Sequence, residues 1–252
     1  MHPFLKPAFC AALTFLPGAA GAQYPERVID LIVAYSPGGG TDLIARAGGE
    51  IGFAALANSP ADGYTIGFVN TPPLLTIPIE RPAQFSWQRF DYPGNIIDDP
   101  CNFSVHVDTD IKDLKQLAAF AKANPGAVTV AAINIGEALQ YQKGGTPLRN
   151  LVQMSPARTN LAPDLATARE QGYDIELSSL RGMVGPKGLP PEIRERLVRA
   201  IERSVTDPEF QAKAVQFFSP LRYLAPAQYE ALVRDADVTY RALWKELPWA
   251  DK

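Results

Sequence analysis

VIDLIVAYSPGGGTDLIARA, residues Val28 to Ala47, decides how this chain folds. Ile29 to Tyr35 is an apolar, β-branched run with the length of a buried strand. Ser36 to Gly40 is a turn that few side chains could occupy, because three consecutive glycines follow a proline. Thr41 and Asp42 then stand as an N-cap pair before a helix carrying Leu43, Ile44 and Ala47. This order of strand, glycine turn and helix start aims free backbone N–H groups at the carboxyl end of a sheet. Such a place suits an anion, since the first helical N–H groups lack partners and the helix dipole favours negative charge. Each contact of this kind contributes roughly 0.3–1 kcal/mol when exposed and about 2 when partly buried. Several together hold a carboxylate without any Lys or Arg.

Upstream, residues 1–22 read MHPFLKPAFCAALTFLPGAAGA. Lys6 gives a basic start, Phe9 to Leu16 an apolar core, and Ala20-Gly21-Ala22 a small-x-small cleavage site before Gln23. The expectation is a signal peptide and a periplasmic mature protein. The apolar run is too short to span a bilayer, and Cys10 sits in no lipidation motif.

Beyond Ala22 only one cysteine, Cys101, and one histidine, His106, remain. An intramolecular disulfide is then impossible, and a lone Cys with a lone His builds no standard metal site. Both read as packing residues, and no metal or cofactor is expected. The formal net charge is −3 and no basic block interleaves with aromatics, which argues against nucleic acid. With 46% hydrophobic residues the chain can bury a core, and 23 prolines mark many element boundaries.

Strand and helix signals alternate along the chain, the pattern of an α/β fold. Glu50 to Ala57 reads as a second short helix, separated from the Asp42 helix only by Gly48-Gly49 with no strand between. Tyr64 to Val69 is a strand, and residues 76–100 read as a long surface excursion without period. Phe103 to Val107 is a strand. A helix capped at Thr109 or Asp110 follows, with Ile111, Leu114, Leu117, Ala118 and Ala121 on one face. Val128 to Ala131 is a strand, Gly136 to Lys143 a helix stopped by Gly144-Gly145, and Leu148 to Met154 a strand. Asp164 to Glu170 reads as a helix and Ile175 to Ser179 as a strand. The C-terminal end is helical, with starts at Pro191, Pro208 and Pro226. Its expected inward stripes include Phe210, Ala214, Phe217 and Phe218 on the second of these helices, and Tyr229, Leu232, Val233, Leu243 and Trp244 on the third.

The segments YPERVIDLIVAYSPGGGTDLIAR from Tyr24 and PADGYTIGF from Pro60 resemble the substrate-binding receptors of tripartite tricarboxylate transporters, the TctC or Bug family. NPGAVTV from Asn124, SPARTNLAPDLATAREQGYDI from Ser155 and GPKGLPPEIRERLVRAI from Gly185 extend the resemblance over Tyr24 to Trp249. It implies an α/β fold like the type II periplasmic binding proteins. Two lobes of mixed or parallel sheet would be joined by crossing strands, with a helical C-terminal end. Lobe one would comprise 23–103 plus 183–252, and lobe two a shortened 104–182, with crossings near Ser104 to Val107 and Ser178 to Gly185. The implied partners are a small organic acid and the membrane subunits of a tripartite tricarboxylate-type transporter, with the receptor a monomer. Two family segments are absent, one at Ala47-Gly48-Gly49 and one at Ala131-Ala132, as in a truncated copy or an engineered deletion. The second normally supplies lobe two's half of the ligand cradle.

Matched residue by residue, the resemblance implies a ligand site at Ser36, Gly38, Gly39, Gly40, Thr41 and Asp42, with Asp42 equally well a plain helix cap. Asn70 and Thr71 match a second loop, although Pro72-Pro73 departs from the family pattern. Asn134 matches an asparagine of lobe two whose usual acidic neighbour is Ile133 here. Ser178, Ser179 and Arg181 lie at the return crossing. An Arg fork fits a carboxylate, while an exposed Arg at a lobe junction is the plainer alternative. Two other readings remain: a non-functional truncated copy, and an enzyme using the glycine turn for a phosphate. The latter lacks dinucleotide-fingerprint spacing, a Gly-Lys-Ser/Thr sequence and a G-x-S-x-G elbow.

Overall fold

The computed structural model describes residues 24–33, 42–127 and 129–249, with residues 42–48 described by backbone alone. The glycine turn Ser36, Gly38, Gly39, Gly40 and Thr41 therefore lies outside the described residues, as does Val128. Strand β1 (Asp30–Val33) runs parallel to β2 (Thr65–Asn70), Asp30 opposite Thr65 and Val33 opposite Phe68. Helix α1 (Asp42–Ala57) connects them. Gly48 and Gly49 do not divide it: two glycines cost a helix about 1 kcal/mol each relative to alanine. That cost is met by burial of Phe53, Leu56 and Ala57 one and two turns further on.

Residues 76–100, expected as a surface excursion, are instead largely interior. Helix α2 (Pro73–Glu80) buries Leu74, Leu75 and Ile77. A 3-10 turn at Trp87–Arg89 leads into β3 (Phe90–His106), a 17-residue strand. No period shows because Phe90 to Asn95 are buried side by side and register shifts fall between Asp91 and Gly94 and between Asn95 and Ile97. Pro93 sits inside the first shift, where its missing N–H costs no ladder bond.

Strand β3 organises the sheet. It pairs antiparallel with β6 (Ser178–Pro186) from Phe90↔Pro186 to Pro100↔Ser178. Its second part pairs antiparallel with β4 (Ala131–Asn134) and with β5 (Leu148–Gln153). At Asn95 and Ile97 it also meets β7 (Leu221–Leu224). Strand β6 in turn pairs antiparallel with β2, so the described strands form one mixed sheet in the order β1-β2-β6-β3-β4.

Two apolar clusters lie along it. One gathers Phe53, Leu56, Leu74, Phe90, Tyr92, Val184, Tyr229 and Val233. The other gathers Val105, Ile111, Leu114, Leu117, Leu151, Val152 and Met154.

Helix α3 (Leu114–Ala123) starts later than expected. Asp113 caps it by accepting from the Gln116 N–H at 2.7 Å, whereas the Thr109 hydroxyl is used in a turn, donating to the His106 carbonyl. Helix α4 (Ile135–Lys143) ends at Gly144. Asp164 to Glu170 forms successive turns and not a helix. There the Thr167 N–H donates to Glu170 and the Glu170 N–H to the Thr167 hydroxyl, a capping-box exchange that starts a new turn and stops any helix running through it. Strand signal at Ile175 begins as strand only at Ser178.

Helices α5 (Pro191–Thr206), α6 (Pro208–Gln216) and α7 (Pro226–Glu246) each open on proline, where the absent N–H needs no partner. Their stripes are narrower than expected. Ala214, Tyr229 and Val233 are buried, while Phe210, Phe217, Leu232 and Leu243 are exposed. His106 is also exposed, beside Asp108, and Cys101 is a partly buried free thiol. No helix among the described residues is long and apolar enough to cross a membrane.

Gly182 is a point of close backbone approach within the sheet. A Cβ there would lie 2.7 Å from Asn95 Cα, the Gly94 carbonyl and the Tyr229 ring. Gly182→Ala should lower the melting temperature, with an overpacking cost of roughly 1–3 kcal/mol. Wild-type stability of the variant in a thermal melt followed by circular dichroism would contradict this close approach.

Candidate functional site

The carboxyl end of β2 meets the start of β6 and the middle of β3, and most of the described sequence-selected residues gather there. Asn70, the last residue of β2, stands opposite Arg181. One step on, the chain turns away into α2, and Thr71 completes the ladder by other means. Its N–H donates to the Leu180 carbonyl at 3.0 Å, and its hydroxyl accepts from the Leu180 N–H at 3.0 Å. The Ser179 hydroxyl donates to the Thr71 carbonyl at 2.8 Å. Thr71 and Ser179 are both 3% exposed, so these hydroxyls bind the two strands together.

Asn134 ends β4 and is the cap position of α4, but its side chain does not cap the helix. Its amide donates to the Asp99 carbonyl at 2.6 Å. The cap comes from across the sheet: the Asp99 carboxylate accepts from the Gly136 N–H at 3.0 Å. Negative charge at a helix N-terminus is favourable, and here β3 supplies it. Arg181 approaches the same carboxylate at 3.4 Å and the Asn134 amide oxygen at 3.5 Å, both through Nη2. Its side chain is 29% exposed. Among the described residues the rest of its five-donor fork is uncommitted. The Asn70 amide oxygen is buried without a partner among the described residues. A buried acceptor of this kind requires a donor.

Asp99 escaped the sequence reading because it lay in the stretch taken as a surface excursion. The available signal was Asp98-Asp99-Pro100 between the apolar pairs Ile96-Ile97 and Phe103–Val105. Asn102, Ser104 and Asn150 were missed because they meet only when β3 is laid beside β5. They form a buried network in which the Asn102 amide donates to Ser104 at 2.5 Å and to Asn150 at 3.0 Å.

Pairing alternates side chains across the β3–β6 ribbon. Asp99, Ser179 and Arg181 share one face; Asp98, Pro100, Ser178 and Leu180 share the other. Ser178 and Thr71 line a separate cavity on that second face. Of the expected residues, then, Asn70, Asn134 and Arg181 converge, Thr71 and Ser179 brace them, and Ser178 points elsewhere. Asp42 is the first residue of α1; its side chain lies outside the described atoms.

A model of the tripartite tricarboxylate transporter family receptor, TctC, matches residues 42–144 and 128–247. The chain belongs to this family. A relative named UPF0065 protein in gbd 5'region, from Cupriavidus necator, is 24% identical, covering 93% of this chain and 92% of its own. That alignment spans 304 positions against the 252 residues here, so the relative carries segments with no counterpart in this chain. Three solved structures share the fold. The periplasmic binding protein BugD is 21% identical over 88% of this chain and 98% of its own, at a TM-score of 0.72. Rhodopseudomonas palustris Rpa4515 with adipate is 17% identical over 88% and 98%, at 0.74. MatC (Rpa3494) from the same organism with bound malate is 17% identical over 87% and 99%, at 0.73. This chain has the α/β fold of these binding proteins.

Burial raises the Asp99 carboxyl to about 6, against the pull of the Gly136 N–H and the Arg181 charge; Glu137 and Asp98 add to the rise. An unfolded Asp titrates near 3.9. Between those values the folded chain binds more protons than the unfolded one. The contribution of Asp99 is complete below about pH 4 and is lost as pH rises through about 6. Asp99→Asn removes this dependence. Its melting temperature relative to wild type should therefore increase from pH 5 to pH 8. A difference that is flat or falls over that range contradicts the assignment.

Proposed function

We propose that this chain is an exported, non-catalytic receptor that holds a small organic acid and presents it to a tripartite tricarboxylate-type transporter. The observation that carries the reading is the convergence of Arg181, Asn134 and Asn70 at the carboxyl end of β2. Arg181 supplies a planar guanidinium fork suited to a carboxylate. Asn70 supplies an unpaired buried acceptor, matched to a hydroxyl or a protonated acid group. Main-chain N–H groups of Gly38, Gly39 and Gly40, with the Ser36 and Thr41 hydroxyls, complete the anion site in this reading. Membership in the receptor family supports it, as do the acids named with two neighbours of the same fold.

In the same reading the two apolar clusters belong to two lobes, 23–103 with 183–252 and 104–182, joined through β3 and β6. Ligand contacts from both favour the closed arrangement. Residues 1–22 act as the export signal, and the receptor works as a monomer.

Titration calorimetry with malate and adipate tests the site. Arg181→Ala should weaken the better of the two acids at least tenfold, about 1.4 kcal/mol, with the fold verified by melting. Unchanged affinity removes Arg181 from the site. Binding of neither these acids nor a wider panel of carboxylates by the wild-type protein favours a truncated copy that binds nothing.

A further inference from the structure

The cavity on the far face of the β3–β6 ribbon has a volume of about 910 Å³, within the range of small-molecule sites. Helices α6 and α7 form one wall, through Val215, Leu232 and Ala236 among others; the loop at Met154 to Leu161 forms the opposite wall. Leu180 and Ser178 of β6 and Asp98 and Pro100 of β3 form its floor. Arg181, Asn134 and Asn70 are not among its lining, so it is separate from the acid site proposed above.

The lining is largely aliphatic, with polar atoms at particular points, and two of these lack partners. Asp98 Oδ1 and the Thr159 hydroxyl oxygen are buried with no hydrogen-bond partner among the described residues. Asp98 is 11% exposed, and its other oxygen is held by the Arg222 guanidinium. A buried carboxylate oxygen without a donor is costly. The nearby charges do not relieve it. Glu176 and Asp235, which also line the cavity, pair with Arg169 and with Arg234 respectively. Among the described lining residues the one cation, Arg222, is already committed to Asp98. An anion entering here meets Asp98 with no free cation among those residues to offset it.

We propose that this cavity is a second ligand site, for a small apolar molecule bearing a protonated amine. Its ammonium donates to Asp98 Oδ1 and Thr159, and its hydrocarbon part lies against Leu177, Leu180 and Tyr240. This chemistry is opposite to that of the acid site, so the protein accepts two unlike ligands on the two faces of one ribbon.

Calorimetry at pH 7 with n-hexylammonium chloride, hexanol and sodium hexanoate tests this on the full chain. Hexylammonium should bind saturably and at least tenfold more tightly than hexanoate. Asp98→Asn should remove the preference of the amine over the alcohol. Ala236→Phe, which fills the cavity, should abolish hexylammonium binding and leave the response to malate and adipate as in wild type. If that variant does not fold, Thr159→Val should reduce hexylammonium affinity severalfold. The proposal is overturned if hexanoate binds as tightly as hexylammonium, if no probe binds, or if the amine binds undiminished to the Asp98 and cavity-wall variants. Malate and adipate titrations report separately on the acid site, so failure of one reading is distinguishable from failure of the other.

Discussion

The antiparallel ladder between β3 and β6 is the constraint on which the rest of the molecule depends. It runs from Phe90↔Pro186 to Pro100↔Ser178 and joins the part of the sheet that carries β1 and β2 to the part that carries β4 and β5. Its alternation assigns neighbouring residues to opposite faces. Asp98 and Asp99 are adjacent in sequence, yet one meets Arg222 and the other meets Arg181 and the α4 N-terminus. Gly182 lets the ribbon pass within contact of Asn95 and Tyr229. A side chain at that point would separate the ladder from the packing that fixes it.

Electrostatics at the ribbon follow from where charge is removed from water. Asp99 is 1% exposed and is held by one backbone N–H and a long ion pair, which is too little to offset burial. Asp91, in the same strand, shows the contrary balance. Burial raises its carboxyl, but N–H groups of Leu189 and Gly188 and the ammonium of Lys187 outweigh this and leave it lowered. Two aspartates eight residues apart thus differ because one receives three good donors and the other does not.

Much of this architecture was legible in the sequence. The three proline-led C-terminal helices, the β2 strand, and α4 with its glycine stop carry strong local signals that tertiary packing only confirms. The stretch through β3 was not legible, since bulges and two-sided burial erase both periods. The apparent break at Gly48-Gly49 was misleading, because local propensity there is overridden by the burial of Phe53 and Leu56. Of the site, the asparagines and Arg181 could be selected by matching motifs. Asp99 could not, because its role arises only when β3 is laid beside α4. The deep burial of Thr71 and Ser179 likewise depends on pairing that no local pattern encodes.

Strand β3 contributes residues to both apolar clusters, Phe90 and Tyr92 to one and Val105 to the other. The first cluster also draws on chain from both before and after the second. The half built on the first cluster therefore cannot be cut out as one continuous polypeptide, and excising the other takes the end of β3 with it. A protease nick near the centre of β3 would cost both halves a strand at once, and loosening of either is passed to the other along the paired β3–β6 ribbon.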